Sequence, residues 1–300
     1  MELPPPVDEA DDVFPEVELD ELFDGPSAAY IQPSKKQKTA KHKSNSGPNL
    51  AEAMQSIPDE LEYPAAFQAP IPQSLEPSEQ DDFAEIFCPR RVGPLVEERG
   101  GKASISADLS LHFEGCDLMV FDWLHFIAKQ VYAKKPKVLL VCPPCTFFSC
   151  LMAANWGKME ETKKMKGLKK GVALLNISMH FARMQLDSGR IFLFEHPHKA
   201  TSFKRPCVKA IMDHGDVERI TFDQCLFGNV SKVDKMPVKK RTVFLTNGKQ
   251  IKKKFLGCLC QNLHQHRRCD GCEGGESRSI YAQRYPPELC ATIADAVMGL

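Results

Sequence analysis

Short segments that are apolar on consecutive residues, separated by longer stretches with helical spacing, restrict this chain more than any other feature. "KVLLV" (137–141) and "RIFLFE" (190–195) are such segments, and a strand of that kind must be covered on both faces. Between them, "GLKKGVALLNISMHFARMQLD" (167–187) sets Leu168, Val172, Leu175, Met179 and Leu186 near one helical face. "LMVFDWLHFIAKQVYAK" (118–134) has the same spacing. "FAEIF" (83–87), "ASISADL" (103–109), "VERITFD" (217–223) and "RTVFLTN" (241–247) read as further strands, and "PLVEERG" (94–100) as a helical turn or two. Strands alternating with helices predict an α/β fold with a mostly parallel sheet and helices on both faces. In such sheets ligands collect beyond the carboxyl ends of the strands. The residues that follow each strand are therefore the ones to inspect: Phe87 and Cys88, Asp108, Cys142 to Cys145, Glu195 and Asp223.

Residues 1–82 have a different composition. They hold 12 of the 22 prolines, 18 acidic residues against 5 lysines, and none of the 12 cysteines. Without sustained apolar periodicity such a segment cannot offset its ordering entropy, so a disordered arm is expected. "DDVFPEVELDELFDG" (11–25) has the composition of segments that fold against a protein partner. "KKQKTAKHK" (35–43) reads as a nuclear address, which makes a nuclear protein the first expectation and a cytoplasmic one the second. A plain solvated tail explains both pieces equally well. The rest of the chain carries 34 basic against 21 acidic residues, and a basic body suits a polyanion, DNA first with RNA left open. A lysine-rich solvated surface explains that charge as well. The acidic start offers no signal-peptide core, and no apolar run reaches the roughly 18 residues that cross a bilayer. An intracellular chain with no membrane role and reduced thiols is expected.

Cys142-Pro143-Pro144-Cys145 ends the 137–141 strand. The pair suits a dithiol oxidoreductase, or half of a metal site, or a turn that presents Cys145 alone as a nucleophile. Glu195 ends the next strand in "FLFEHP" (192–197), where a buried carboxyl group is poised to donate a proton. Salt bridging is the commoner role for such a residue. "MPVKKRTVFLTN" (236–247) brings Lys239, Lys240 and Arg241 to the start of a strand. The lysine-rich "WGKMEETKKMKGLKK" (156–170) suits a mobile loop closing on phosphates, or an ordinary helix start.

Taken in order, Pro143-Pro144-Cys145 with Phe148-Ser149, then Glu195 with Pro197, Gly228, and Pro237 to Val243-Phe244 resemble the C5-cytosine DNA methyltransferases. The shortened methylase-like domains of phage and retroelement polyproteins are especially similar. The resemblance covers about residues 83–300. It implies a Rossmann-like methyltransferase fold using S-adenosylmethionine. Cys145 matches the cysteine that adds to C6 of cytosine, and Glu195 the glutamate that contacts N3 and the exocyclic amine. Lys240 stands where a base-holding arginine is usual. For the cofactor, the resemblance implies Phe87 beside the adenine or methionine moiety, Asp108 on the ribose hydroxyls, Asp117 near the adenine amine, and Pro143 lining the site. The chain departs from the family at Pro89-Arg90-Arg91, where glycines are usual, at His196 in place of asparagine, and at Val238 and Thr242 in the basic motif. A catalytically degenerate relative that only binds nucleic acid stays open, as does the dithiol reading.

"CLCQNLHQHRRCDGC" (258–272) gathers Cys258, Cys260, His264, His266, Cys269 and Cys272, all of them ligand types for Zn²⁺. A basic loop with incidental thiols is the bland alternative. The family carries a large target-recognition region here, and a zinc-stapled loop would be a compact substitute. "IYAQRYPPELCATIADAVMGL" (280–300) reads as a terminal helix that returns to cover the first strand.

Overall fold

The computed structural model of the chain describes residues 50–57, 79–108, 116–269, 271–273 and 276–300. Strands β1 (Phe83–Ile86), β2 (Ile105–Ala107), β3 (Val138–Val141), β4 (Ile191–Pro197), β5 (Glu218–Asp223) and β6 (Arg241–Thr246) form one sheet in the order β2-β1-β3-β4-β6-β5. The pairs β1·β2, β1·β3 and β3·β4 are parallel. Strand β6 runs antiparallel to both of its neighbours, β4 and β5. The α/β class and mostly parallel sheet are as the sequence predicts. The reversal of β6 has no counterpart in the apolar pattern, because residue alternation does not encode strand direction.

Side-chain alternation along the strands builds two faces. Ala84, Ile86, Leu139, Val141, Phe192, Phe194, Val243 and Leu245 pack against α3 (Phe121–Lys134) and α5 (Glu161–Asp187). The intervening Phe83, Val138, Leu140, Leu193, Phe222 and Phe244 pack against α2 (Gly93–Glu98), α7 (Lys249–Phe255) and α9 (Pro287–Met298). Two short helices, α4 (Cys150–Asn155) and α6 (Pro206–Met212), follow the ends of β3 and β4. Pro286 and Pro287 split the expected terminal helix. A four-residue turn of helix, α8 (Arg278–Tyr281), precedes them, and Pro287 opens α9 where its missing N–H costs nothing.

One expectation needs correction in part. Most of the segment expected to be a disordered arm lies outside the described residues, as do the 11–25 and 35–43 pieces. Within it, however, Leu50–Gln55 forms helix α1, with Leu50, Ala53, Met54 and Ile57 buried in the core beside α5 and α6. Their i, i+3, i+4, i+7 spacing is that of one helical stripe. Buried Arg205 donates to the carbonyls of Met54 and Ile57, the latter at 2.9 Å. Of the two readings of the lysine-rich segment at 156–170, the structure gives the helix start. A turn at Trp156–Lys158 leads into α5 from Glu161. Lys164 is buried, its ammonium 3.1 Å from Glu161 and 5.4 Å from the centre of the Trp156 ring.

The edge of the sheet away from the strands' carboxyl ends is stitched by polar contacts. Asp82 accepts from the Lys102 N–H at 2.9 Å and from the Lys137 ammonium at 2.7 Å. Asp81 accepts from the Ser104 N–H at 3.0 Å, and Lys252 pairs with Glu218 at 2.7 Å. Among the described residues no helix is long and apolar enough to cross a membrane.

Candidate active site at the carboxyl rim of the sheet

Cys145 sits where β3 turns into a helix. The Cys142 N–H still bonds the Ile86 carbonyl at 3.0 Å, and two prolines then carry the chain to Cys145 at the head of a turn, Thr146–Phe148. Ser149 caps α4, its hydroxyl accepting from the Met152 N–H at 3.2 Å. Phe148 is fully buried, and the Phe147 ring lies so close to α5 that any Cβ at Gly167 would collide with it. Aromatic anchors on one side and stiff prolines on the other give the thiol a fixed seat.

Two charged groups share its surroundings. Glu195 comes from β4, opposite Phe244 of β6. Lys240 immediately precedes β6, and the reversal of that strand is what delivers a strand start to this rim. The Lys240 ammonium lies 3.5 Å from Glu195 Oε1, with both side chains largely buried. That oxygen accepts no hydrogen bond among the described residues. Beside the group is a cavity of about 150 Å³ whose lining includes Cys145, Thr146, Pro197, Lys240, Cys269 and Gln283. A protein cavity of about this size holds a benzene-sized ring. Burial pushes the Cys145 thiol up to about 11, with Lys240 pulling it down and Glu195 pushing it further up. For Lys240 burial opposes the charge, but Glu195 and Cys145 outweigh it and its pKa is raised. A buried cation therefore sits between a carboxylate and a latent thiolate.

His196, next along β4, is fully buried on the opposite face. Its Nδ1 lies 2.7 Å from Ser202 Oγ and its Nε2 3.2 Å from the Pro143 carbonyl. Burial holds its pKa down to about 3, opposed by the Pro143 carbonyl and helped by the nearby Lys240 charge. A neutral ring then donates from Nε2 to Pro143 and accepts from Ser202, which ties β4 to the turn carrying Cys145. Because the folded value lies below the unfolded value of about 6.5, this group's stabilisation is complete above that pH. It is lost as pH falls toward about 3. Wild-type stability measured against His196→Asn should therefore fall by about 1.4 kcal/mol per pH unit through that window. Glu85, raised to about 7 by burial, acts in the opposite direction but is common to both proteins. Denaturant titrations at a series of pH values would check this, and a flat difference would mean that the ring is charged or wet.

The strand order reverses between β1 and β3, and the crevice at such a switch point is where α/β sheets bind ligands. Here Cys142 Sγ meets the Tyr285 hydroxyl at 3.2 Å. Hydrogen bonding with Cys142 and burial hold the Cys88 thiol well above its ordinary range, with Glu85 and Asp108 adding to the effect. Glu85 points under the loop that follows β1 and accepts the N–H groups of Arg91, Val92 and Gly93 at 3.2, 3.3 and 3.1 Å. Phe87 has a φ of 62°, a left-handed conformation rare for an aromatic residue and characteristic of constrained sites. Asp108 follows β2 and is close enough to act on Cys88. Asp117 is engaged elsewhere: it accepts from the Met119 N–H at 2.9 Å and pairs with Lys170 at 3.5 Å. Pro143 lends its carbonyl to His196. Lys239 and Arg241 turn toward buried Asp223, Arg241 with two bonds of 2.8 Å and Lys239 at 3.8 Å.

The expected six-residue metal set divides. Cys260, His264 and His266 converge, and Cys225 joins them from the turn after β5, giving four ligand atoms within 4.8 Å of one another that could hold a metal ion. Cys258 is not among them; its thiol lies 3.5 Å from the Lys254 carbonyl at the end of α7. Cys269 lines the cavity beside Lys240, and Cys272 is exposed on a small hairpin, β7 (Cys272–Glu273) with β8 (Glu276–Ser277). Local spacing had no means of finding Cys225, which a strand and a helix separate from its partners. All twelve cysteines, Cys142 and Cys145 included, are free thiols. No protein-family model matches the chain, and no curated protein matches its sequence.

Proposed function

We propose that residues 83–300 form a C5-cytosine methyltransferase domain acting on nucleic acid, DNA in the first instance, with S-adenosylmethionine as the methyl donor. One observation carries the reading: Cys145 and Lys240 line a cavity sized for a single heteroaromatic ring, and Glu195, from a third chain segment, pairs with Lys240 behind that lining and acts on the Cys145 thiol. The mostly parallel sheet, with its switch point next to that cavity, supports it.

The residues of the crevice suit a nucleoside-bearing donor. Asp108 offers a carboxylate at the end of β2 for ribose hydroxyls, and Phe87 an aromatic face held in place by its backbone. Asp117 would take the adenine amine in competition with Lys170. Where the family uses glycines after the first strand, this chain holds the loop with the Glu85 carboxylate. When bound, the donor supplies an electrophilic methyl group.

The chain's own groups do the rest. The resting thiol of Cys145 is protonated, and the adjacent Lys240 ammonium stabilises its thiolate. As Sγ adds to C6 of a cytosine swung out of its stack, the C–S bond forms, the C5–C6 double bond opens and the thiol proton passes to the Glu195 carboxylate. Negative charge spreads toward N3, where Glu195 delivers the proton it took from Sγ and the Lys240 ammonium supports the charge. C5, now enamine-like, takes the methyl group. Water takes the C5 proton, which restores the double bond and expels Sγ as thiolate, and the N3 proton returns through Glu195 to Sγ.

The test uses DNA and RNA containing 5-fluorocytosine, whose C5 substituent cannot leave as a proton. Wild-type protein with the donor should give a denaturation-stable adduct, and should transfer labelled methyl groups to ordinary cytosine. Binding of nucleic acid with neither adduct nor transfer would instead support the degenerate binding module. Thiol–disulfide exchange that needs both Cys142 and Cys145 would support the oxidoreductase.

A further inference from the structure

We propose that Cys225, Cys260, His264 and His266 form a closed structural Zn²⁺ site that holds the segment carrying Lys240 at the rim. The four ligand atoms lie within 4.8 Å of one another. Cys260 Sγ is 3.6 Å from His264 Nε2 and 3.4 Å from His266 Nε2. Tetrahedral zinc, with bonds of about 2.3 Å to sulfur and about 2.0–2.1 Å to nitrogen, sets such atoms about 3.5 Å apart. Two ring nitrogens and the Asn262 N–H, the last at 3.3 Å, converge on the one buried Cys260 sulfur. Asn262 has a φ of 58°, a left-handed turn that asparagine tolerates and that aims its N–H back at the sulfur. Donation from a neighbouring amide is the outer-shell support expected around a metal-bound thiolate.

The ligand set selects the ion. Two sulfurs and two imidazoles favour zinc over the oxygen-seeking Ca²⁺ and Mg²⁺, and four protein ligands leave no open position for catalysis. The role is therefore to clamp. Cys225 lies in the turn that ends β5, whereas Cys260, His264 and His266 lie beyond α7. The joint continues outward from the site: Asp223 accepts the Cys260 N–H at 3.0 Å, and the Lys239 ammonium donates to Asn262 Oδ1 at 2.6 Å and to the Cys260 carbonyl at 3.4 Å. Lys239 is the neighbour of Lys240. A metal at this point fixes the base from which Lys240 reaches Glu195.

The experiment is metal analysis of the full chain purified under reducing conditions without chelator. About one zinc per chain is expected. X-ray absorption should give a first shell of two sulfurs at about 2.3 Å and two nitrogens at about 2.0–2.1 Å. Losing a supporting outer-shell partner alone costs about 10- to 100-fold in metal affinity, so Cys225→Ala should weaken zinc binding by at least that factor. Cys272→Ala, outside the cluster, should retain full occupancy. Should Cys225→Ala fail to fold, Co²⁺ added to reduced, metal-free wild-type protein still decides, through the thiolate-to-cobalt charge-transfer band and tetrahedral visible absorption. Zinc content unchanged in Cys225→Ala, a first shell without sulfur, no uptake of Zn²⁺ or Co²⁺ by the reduced protein, or a stable Cys225–Cys260 disulfide in its place would each overturn the proposal.

Discussion

Cys145→Ala should lose both the 5-fluorocytosine adduct and methyl transfer, the latter by at least about a thousandfold, while keeping the wild-type melting temperature to within a few degrees. The large loss follows from its place in the scheme. Without Sγ there is no bond to C6, and C5 stays a poor nucleophile however well the base and donor are held. The small effect on stability follows from its position, because Cys145 lines a cavity and fills no part of the closed core. Its fixed seat is supplied by the prolines before it and the Phe147 and Phe148 rings after it. Cys142→Ala makes the discriminating control. Its thiol meets Tyr285, so the variant should weaken transfer without abolishing the adduct. Equal loss in both variants would point to paired thiols and sink the nucleophile assignment. The readouts are gel-shifted adduct, labelled methyl counts and a thermal melt.

Glu195→Ala should destabilise the protein by about 3 kcal/mol and also abolish transfer. The carboxylate and the Lys240 ammonium are 3.5 Å apart with little exposure. Removing either one strands the other charge in a poorly hydrated place, and that stranding, rather than the lost attraction, dominates the cost. Lys240→Met should behave in the same way. The double variant Glu195→Ala/Lys240→Met leaves no isolated charge and should recover much of the lost stability while staying inactive. A double-mutant cycle by chemical denaturation measures the coupling. Simple additivity would show that the two groups do not sense each other, and Lys240 would lose its place in the mechanism.

The sequence made strands legible wherever burial on both sides leaves a run of consecutive apolar residues, as at Val138–Val141, and helices wherever one face repeats, as in Phe121–Lys134. Strand β2 is only three residues long, and its ends were correspondingly blurred. Helix α1 escaped because the acidic, proline-rich composition of its surroundings concealed a four-residue apolar stripe. The lysine-rich opening of α5 left a loop and a helix start open, because the count of charges conceals that Lys164 packs beside Trp156. For the candidate site, Cys145 and Lys240 were legible as neighbours because each flanks a strand end at one rim, whereas Glu195, expected to end its strand, lies inside β4, which runs on to Pro197. The fourth metal-cluster member, Cys225, was not legible, since only the β5–β6 hairpin brings it under the 260–266 loop.

Strand β6 runs against its neighbours, and this has a consequence for how the molecule can change. The turn after β3, the loop after β4, the β5–β6 connection and the loop beyond α7 all open on one side, while Asp81, Asp82, Lys102 and Glu218 close the other with short polar ties. Inserted or exchanged residues on the open side alter what the molecule grips and leave the scaffold untouched. The same changes on the tied side loosen the scaffold and leave its grip as it was. One edge is free to diversify because the other is not.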